Sequence, residues 1–219
     1  MNGHAAPGAD EIVTGDRRHR RREQTISEIL EHALVVMGQA GAAGLSMAAV
    51  ARRMDVKPPS LYKYFASLTD LYDALVARGH ADNLQVVRNA RDHAEPGLAA
   101  LLACGRASAR WAVEHPVLAQ LLFWRPVPDY RPSDAAFADA LAVVDVLRTC
   151  LAEAAEAGEL APGTDIDQAL DMMSIAHFGM ISQHLANDPH GGWPGGRYAR
   201  LYDIAVAALL DRYRPGQRQ

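Results

Sequence analysis

Residues 45–65 read LSMAAVARRMDVKPPSLYKYF, and this stretch decides the fold of the first part of the chain. Ser46 stands where an N-cap would begin a helix, because its hydroxyl can accept a hydrogen bond from a free backbone N–H of the first turn. Val50 and Met54 follow one turn apart on the side that would be buried. Residues 55–57 are too few for anything but a turn, so this half predicts a helix that ends in a tight turn.

The second half of the stretch predicts another short helix. Pro58 and Pro59 suit its first turn, where a missing N–H costs nothing, and Leu61 and Phe65 follow at i, i+4 spacing. Upstream, apolar residues recur at helical spacing over residues 26–37. The last two of these three helices are joined by the tight turn. This is the helix-turn-helix arrangement, whose second helix lies in the DNA major groove.

The rest of the chain predicts helices only. The sequence is 49% hydrophobic and 6% aromatic, with abundant alanine, no strand-like alternation and no internal repeat. Six further helices are predicted over residues 69–91, 98–114, 115–124, 134–157, 165–186 and 198–213. We therefore expect an all-α fold of nine helices.

Charge is distributed unevenly along the chain. The formal net charge of −4 by itself argues against a nucleic-acid-binding protein. Residues 17–66, however, hold nine Lys/Arg against four Asp/Glu, a balance of +5, whereas residues 67–219 hold 13 against 19, a balance of −6. This asymmetry predicts an anionic partner for the basic part.

Several classes of protein are excluded by what the sequence lacks. Two cysteines cannot form a disulfide framework, which favours a reducing cytoplasm, and no apolar run matches a signal peptide or a bilayer span. No nucleophile elbow, phosphate-binding glycine loop, metalloprotease motif or carboxylate pair is present, so we expect no catalytic residue, metal or cofactor. Nothing basic adjoins Cys104 or Cys150, which favours inert buried thiols over a redox switch. Residues 1–16 predict a disordered leader.

The only two lysines of the sequence, Lys57 and Lys63, lie on or beside the third predicted helix. Ser60, Tyr62 and Tyr64 stand around them, and all three side chains can hydrogen-bond phosphate oxygens. Lys63 would be open to base edges. These residues together predict DNA contact through the third helix.

Two further features favour DNA binding. Pro58 and Pro59 leave the N-terminal end of the third helix free to press against thymine methyl groups. The basic run at residues 17–22 could neutralise phosphates or enter a minor groove as an arm. Its last three residues are Arg20, Arg21 and Arg22. A solvated start of the first helix explains the same run equally well, and both interpretations stay open.

The eighth and ninth predicted helices, over residues 165–186 and 198–213, are apolar nearly all round. A helix without a polar face in a domain of this size should be buried on two sides. We expect the inner side to meet the core and the outer side to meet a second copy of the chain, since symmetric dimers are the commonest oligomers. The alternative is a fully internal helix in a monomer.

The stretch 45–65 resembles the DNA-binding signature of the tetracycline-repressor (TetR) family of bacterial transcription regulators, and the likeness extends over residues 23–75. Residues 61–65, LYKYF, resemble the family's Leu-Tyr-x-His-Phe element. The resemblance implies a three-helix helix-turn-helix domain over residues 17–67 and a ligand-binding and dimerisation domain over residues 68–219. It also implies operator contacts at Ser46, Pro58, Pro59, Ser60, Tyr62, Lys63 and Tyr64.

Two positions depart from the family pattern. Tyr64 stands where the family often has His, which keeps a hydrogen-bonding tip. Leu68 occupies a place where many members have a phosphate-binding Lys, so one anchoring charge is missing. As a hypothesis, the basic run at residues 17–22 substitutes for that charge.

The resemblance further implies a small-molecule effector bound between the C-terminal helices, whose entry changes the spacing of two DNA-reading heads. Large side chains that could line its cavity are Trp111, His115, Phe123, Trp124, Phe137, Met173, His177, Met180, Ile181 and His184. Plain core is the commoner role for such residues. Seven residues separate His177 from His184. That places them about 10 Å apart along a helix, too far to chelate one metal, so polar handles and core histidines both stay open.

The sequence therefore predicts a cytoplasmic, dimeric, ligand-responsive transcription regulator. We expect a repressor that a small-molecule effector releases from a palindromic, double-stranded operator. The alternative from a different class is a helical small-molecule-binding protein or enzyme whose N-terminal helices no longer bind DNA.

Overall fold

The computed structural model describes the backbone of residues 9–216 and the side chains of residues 17–216, and within that part the chain is entirely helical. The α-helices are α1 (Ala9–Ala40), α2 (Met47–Arg53), α3 (Leu68–Asp92), α4 (Leu98–Glu114), α5 (Pro116–Trp124), α6 (Asp134–Glu156), α7 (Ile166–Asn187) and α8 (Tyr202–Asp211). Short 3₁₀ helices span Ala42–Gly44, Pro58–Lys63 and Ala199–Leu201. The all-α prediction is confirmed, and the eighth and ninth predicted helices correspond to α7 and α8.

The chain forms two compact units, Met1–Tyr72 and Asp73–Gln219, called here the head and the body. The predicted domain division after residue 67 stays a prediction. Of the predicted leader, residues 1–8 lie outside the described part of the chain. The structure differs from that prediction over residues 9–16, because α1 already begins at Ala9.

The core of the head forms around the stretch quoted above. Ser46 caps α2 as predicted, since its Oγ accepts a hydrogen bond from the Ala49 amide at 3.2 Å. Val50, Leu61 and Phe65 are buried with 0%, 2% and 6% of their surface exposed, so all three belong to the core. Burying such side chains stabilises the head by about 1.5–3 kcal/mol each, so these residues fix the positions of both short helices.

The turn after α2 is tight because Asp55 adopts a left-handed conformation with φ of 55°. The third predicted helix differs from the α-helix expected, because Pro58–Lys63 is a 3₁₀ helix. Its bonds span three residues, with the Ser60 amide donating to the Lys57 carbonyl at 2.9 Å. Two prolines in six residues remove amide donors, and so short a segment gains little from the wider α-helical turn. We call Pro58–Lys63 the recognition segment.

The body is a bundle in which α4 packs against α6, α7 and α8. The Glu159 carboxylate accepts a hydrogen bond from the Leu98 amide at 2.9 Å and so satisfies a free donor at the start of α4. Ser133 and Asp165 cap α6 and α7 in the same manner, each accepting from an amide three residues later. These caps explain why the predicted starts of the helices are close to the observed ones. No helix in the described part of the chain is both long and apolar enough to span a bilayer.

Candidate nucleic-acid interface and candidate ligand cavity

The recognition segment presents most of the predicted DNA-contacting side chains to solvent. Lys57, Pro58, Pro59, Tyr62 and Lys63 are exposed, and 52% of the Tyr62 surface is accessible. The others lie close by and are half-buried, namely Ser46, Ser60 and Tyr64. Leu61 alone of the segment points into the core, so its burial leaves the remaining side chains free to meet a ligand.

The basic run at residues 17–22 lies on α1 and is helical rather than an extended arm. Arg20 and Arg21 are exposed on this helix, as a solvated helix surface would be. Arg22 reaches the recognition segment, where its Nη1 donates to the Lys63 carbonyl at 3.2 Å. Its guanidinium carbon lies 5.2 Å from the centre of the Tyr64 ring, within the range of a cation–π contact. Arg22 thereby holds the end of the recognition segment against α1.

An open groove lies beside this contact. It is lined by Arg18, His19, Arg21, Arg22 and Tyr64. Three guanidinium groups along one groove, with no carboxylate among the described residues of its lining, make a surface that attracts phosphate. The sequence showed the basic run but not that it adjoins the recognition segment.

The start of α3 carries a reciprocal cap where the TetR resemblance would place a lysine. The Ser67 Oγ accepts from the Asp70 amide at 3.1 Å, and the Asp70 carboxylate accepts from the Ser67 amide at 3.1 Å. Two amide donors of this helix end are thus used within the chain. Leu68 is half-buried, so this end of α3 offers no positive side chain at that position.

A cavity of about 330 Å³ lies within the body, and we call it the body cavity. It is lined by residues of all six helices that lie wholly or partly in the body, α3 to α8. Four of the predicted ligand-binding residues are on its wall: Phe123, Phe137, Met173 and His177. The wall is mainly Leu, Val, Phe and Met, which suits an apolar ligand.

Six predicted ligand-binding residues are not on that wall. They are Trp111, His115, Trp124, Met180, Ile181 and His184. Ile181 and His184 are fully buried in the core of the body, and Trp124 is 38% exposed. Trp111 is buried and stacks on His115, with ring centres 5.2 Å apart. Phe178 is the last residue of α7 on the cavity wall, and the buried residues that follow it lie in the core of the body.

A chain of polar side chains on the cavity wall was missed by the sequence analysis. Asn83 Nδ2 donates to Ser108 Oγ at 3.1 Å, and Ser108 Oγ lies 3.3 Å from His177 Nε2. His177 Nδ1 in turn lies 3.1 Å from the Tyr202 hydroxyl. One signal was available, because Asn83 interrupts an otherwise apolar stripe of α3. The partners come from α4, α7 and α8, and no local pattern shows that they meet.

His80 is a second polar residue on the wall that the sequence analysis missed. Only 5% of its surface is exposed, and its Nε2 has no hydrogen-bond partner among the described residues. Its ring meets Phe137 edge to face, with ring centres 5.4 Å apart. Burial lowers the pKa of His80 to about 4, against a weaker opposite effect of Asp139. Burial also lowers the pKa of His177 to about 4, so both rings are neutral at pH 7.

Two family models match the chain, one for each part. The model of "Bacterial regulatory proteins, tetR family" matches residues 29–75, and that of "Tetracyclin repressor-like, C-terminal domain" matches residues 101–209. The chain belongs to the TetR family. The recognition segment lies inside the first match and most of the cavity wall inside the second.

Known proteins resemble this TetR family chain over different lengths. The HTH-type transcriptional regulator Rv1816 of Mycobacterium tuberculosis (strain ATCC 25618 / H37Rv) is 31% identical over 153 residues, which cover 68% of this chain and 65% of that protein. The match thus spans about 65% of the length of the curated relative. The TetR family regulator PfmR of Thermus thermophilus shares the fold, with a TM-score of 0.64, 20% identity and coverage of 87% of this chain and 99% of that one. FadR of Bacillus subtilis, solved with stearoyl-CoA, does so with a TM-score of 0.68, 14% identity and coverage of 84% and 97%.

The two cysteines of this TetR family protein meet in the body. Cys104 lies on the cavity wall, and both thiols are fully buried. The hydrogen bond with Cys104, together with the Arg91 guanidinium, lowers the pKa of Cys150 to about 7 in spite of burial. Arg91 also donates to Glu153 at 2.6 Å. The sequence offered no basic neighbour for either thiol, and the structure supplies one from α3. Among the described residues, no cluster of His, Cys, Asp or Glu has the geometry of a metal site.

Acidification is expected to destabilise the body because His80 and His177 are held neutral there. Their pKa falls from an ordinary 6.5 to about 4. Between these values the unfolded chain binds more protons than the folded chain, so the free energy of unfolding decreases as the pH falls. Each histidine accounts for a loss of about 1–2 kcal/mol at pH 5. Urea unfolding at pH 7.5, 6 and 5 measures this loss.

A matched pair of variants assigns the pH effect to the buried ring. H80Q should lose less stability on acidification than the unmodified chain, whereas H93Q, which changes an exposed histidine in the turn directly after the same helix, should lose as much. Equal losses for H80Q and the unmodified chain would show that His80 does not resist protonation in the folded state.

Proposed function

We propose that this protein is a ligand-responsive transcription regulator that acts as a repressor. The head binds a palindromic DNA operator, and the body cavity holds the effector that ends this binding. The observation that carries the proposal is the recognition segment, where Tyr62 and Lys63 are exposed together with the preceding Lys57 while Leu61 is buried in the core. This makes a short, rigid surface with phosphate-binding and base-reading groups.

Charge supports the same assignment. Arg22 adds a guanidinium at the end of the recognition segment, and Arg18 and Arg21 extend the positive surface along α1. Residues 17–66 carry a balance of +5, whereas residues 67–219 carry −6. An acidic body attached to a basic head disfavours binding of DNA by the wrong surface.

We propose a homodimer that forms through α7 and α8. These helices expose large apolar side chains. Exposed apolar patches of this kind usually mark a site where another protein surface binds. The exposed fractions are Met172 39%, Ile175 67%, Phe178 40% and Ile204 65%, and Leu201, which directly precedes α8, is 48% exposed. A second copy that covers this surface gives the two-fold symmetry that a palindromic operator requires. The internal-helix alternative of a monomer leaves these exposures without explanation.

The effector acts by binding one conformation of the protein better than another. A ligand shifts an equilibrium only as far as its affinities for the two conformations differ. In this proposal the conformation with the occupied body cavity has lower DNA affinity. The matches to both family models favour this regulator over the alternative that has lost DNA binding, because the match at residues 29–75 includes the complete recognition segment.

The direct test is a gel shift with purified full-length protein and the DNA upstream of its own gene. We expect a specific complex in 50 mM salt that resists competitor DNA. Its affinity should fall with salt on a log–log slope of magnitude about 4 or more, because each neutralised phosphate adds about 0.9. The absence of any shift at low salt would exclude the proposed function.

A second prediction isolates the basic run of α1. The double variant R20Q/R21Q should reduce the salt slope by about 2 for each head that contacts DNA, while sequence preference stays the same, because phosphate contacts position the protein without reading bases. Arg22 is left in place since it also holds Lys63. The control R88Q/R110Q removes two exposed arginines from the body and should leave the slope unchanged. An unchanged slope in R20Q/R21Q would show that α1 does not touch the phosphates.

A further inference from the structure

The wall of the body cavity is apolar except for four kinds of polar side chain. One is the chain Asn83–Ser108–His177–Tyr202, whose members bond one another, and Tyr202 is only 2% exposed. The others are Ser174, whose Oγ donates to the Leu170 carbonyl at 2.9 Å, His80, and Arg125, which is exposed to solvent. Because the members of the chain already have partners, they offer little unused hydrogen bonding to a ligand. His80 therefore stands apart from the other polar residues of the wall.

His80 has a buried ring nitrogen that nothing in the described chain satisfies. Only 5% of the His80 surface is exposed, and its Nε2 has no hydrogen-bond partner among the described residues. A buried polar atom without a partner destabilises a protein by about 1–3 kcal/mol. The His80 side chain lines the body cavity, and its ring meets Phe137 edge to face. A polar group of a ligand in the body cavity would supply the missing hydrogen-bond partner.

The electrostatics of the wall exclude a charged group in the interior. Burial holds His80 and His177 neutral at pH 7, since the pKa of each is lowered to about 4. No carboxylate belongs to the wall among the described residues, so a cation has no counter-charge there. Arg125 is the one permanent charge on the described wall, and it is exposed to solvent. An ion in the interior would lose its hydration without an opposite charge in return.

The size of the cavity limits the ligand as well. Its volume of about 330 Å³ lies near the lower end of the range for small-molecule sites. At about 30 Å³ for each water-sized group, it has room for roughly ten to eleven such groups. A ligand of this size is a medium-length alkyl chain or a pair of fused rings rather than a nucleotide or a peptide.

We propose that the body cavity binds an uncharged, largely apolar molecule of this size, whose hydroxyl or carbonyl oxygen hydrogen-bonds His80 Nε2. The inference rests on the proposed function, because this cavity is the effector site of that proposal. A hydroxyl fits either tautomer of the ring, whereas a carbonyl fits the tautomer with its proton on Nε2. His80 favours ligands that carry such an oxygen, and the rest of the wall favours ligands whose remaining surface is apolar.

The test uses three probes of equal chain length and different charge: 1-decanol, decanoate and decylammonium. Calorimetry or quenching of tryptophan fluorescence measures their dissociation constants with the full-length protein at pH 7.5 and without DNA. We expect 1-decanol to bind at least about tenfold more tightly than either ion. Equal or tighter binding of decanoate or decylammonium would overturn the proposal, and so would the failure of all three to bind.

Variants of His80 test the polar contact itself. H80F should weaken 1-decanol binding by about five- to tenfold, the loss of one hydrogen bond, and H80Q should restore part of it because glutamine keeps a donor and an acceptor. The matched control H93F changes an exposed histidine in the turn directly after the same helix and should leave the dissociation constant unchanged. Circular dichroism confirms folding, and H80Q serves alone if H80F does not fold. An H80F or H80Q protein that is folded and binds 1-decanol as tightly as H93F would overturn the role of His80.

A gel shift on the same protein samples separates this inference from the proposed function. If the probes bind in the expected order and no DNA is shifted, the ligand class stands and the regulator fails. If DNA is shifted and no probe binds, the regulator stands and the ligand class fails.

Discussion

Replacing Lys63 by glutamate is expected to weaken operator binding by at least about a hundredfold. Lys63 is exposed at the end of the recognition segment, beside Tyr62 and Tyr64. Each head of a dimer would lose one contact and place a carboxylate against the phosphates. A loss of about 1.4 kcal/mol for each of two heads corresponds to a hundredfold. A gel shift or fluorescence anisotropy titration at fixed salt measures it.

The control for K63E must carry the same change in net charge. R88E reverses an exposed charge on α3 in the body and should change DNA affinity by less than about threefold. The Lys63 side chain makes no hydrogen bond or ion pair with the described residues, and the Lys63 carbonyl that Arg22 binds is unchanged by the substitution. The fold should therefore persist in K63E. If K63E and R88E bind DNA equally well, the recognition segment does not read the operator.

The double variant I175D/I204D is expected to separate the dimer into monomers. Ile175 and Ile204 are the most exposed large apolar residues of α7 and α8, at 67% and 65%. Two carboxylates from each copy would lie in the apolar contact without partners. We expect the dimer dissociation constant to rise by at least about a thousandfold, or about 4 kcal/mol. Sedimentation over a range of concentrations measures this shift.

The same variant links assembly to DNA binding. A monomer loses the gain of two linked half-site contacts, so affinity for a palindrome should fall while affinity for a single half-site stays the same. V35D places a carboxylate on an apolar residue of α1 that is 37% exposed and should remain dimeric. A double variant that sediments as a dimer would show that copies of the chain meet through another surface.

Local signals were sufficient for most of the helices. The predicted fifth helix over residues 98–114 matches α4, and the predicted seventh differs from α6 by a single residue at its end. Ser46 could be assigned as a cap because its role depends only on an amide three residues later. Helical spacing likewise predicted a buried side for Val50, which is fully buried. Each of these features is encoded within one or two turns of chain.

The recognition segment shows where local reasoning stopped. The paired prolines predicted a helix start, but they and the shortness of the segment also favour a 3₁₀ helix, which the helical spacing alone did not indicate. The basic run of α1 was ambiguous between an arm and a helix surface for a similar reason. Its position became clear only through Arg22, which contacts a backbone carbonyl 41 residues away.

The sequence by itself determined the helical class, the helix-turn-helix stretch and the separation of charge, because spacing, capping and composition are properties of neighbouring residues. Only the tertiary structure decided which buried residues line the body cavity. Helical periodicity identifies a buried face but not whether that face meets a space or another side chain, so Phe137 and His177 line the cavity while Ile181 and His184 fill the core. Arg91 lies beside Cys150, and His80 lines the cavity together with residues of distant helices. These residues are far apart in the sequence, and only the close packing of the helices brings them together.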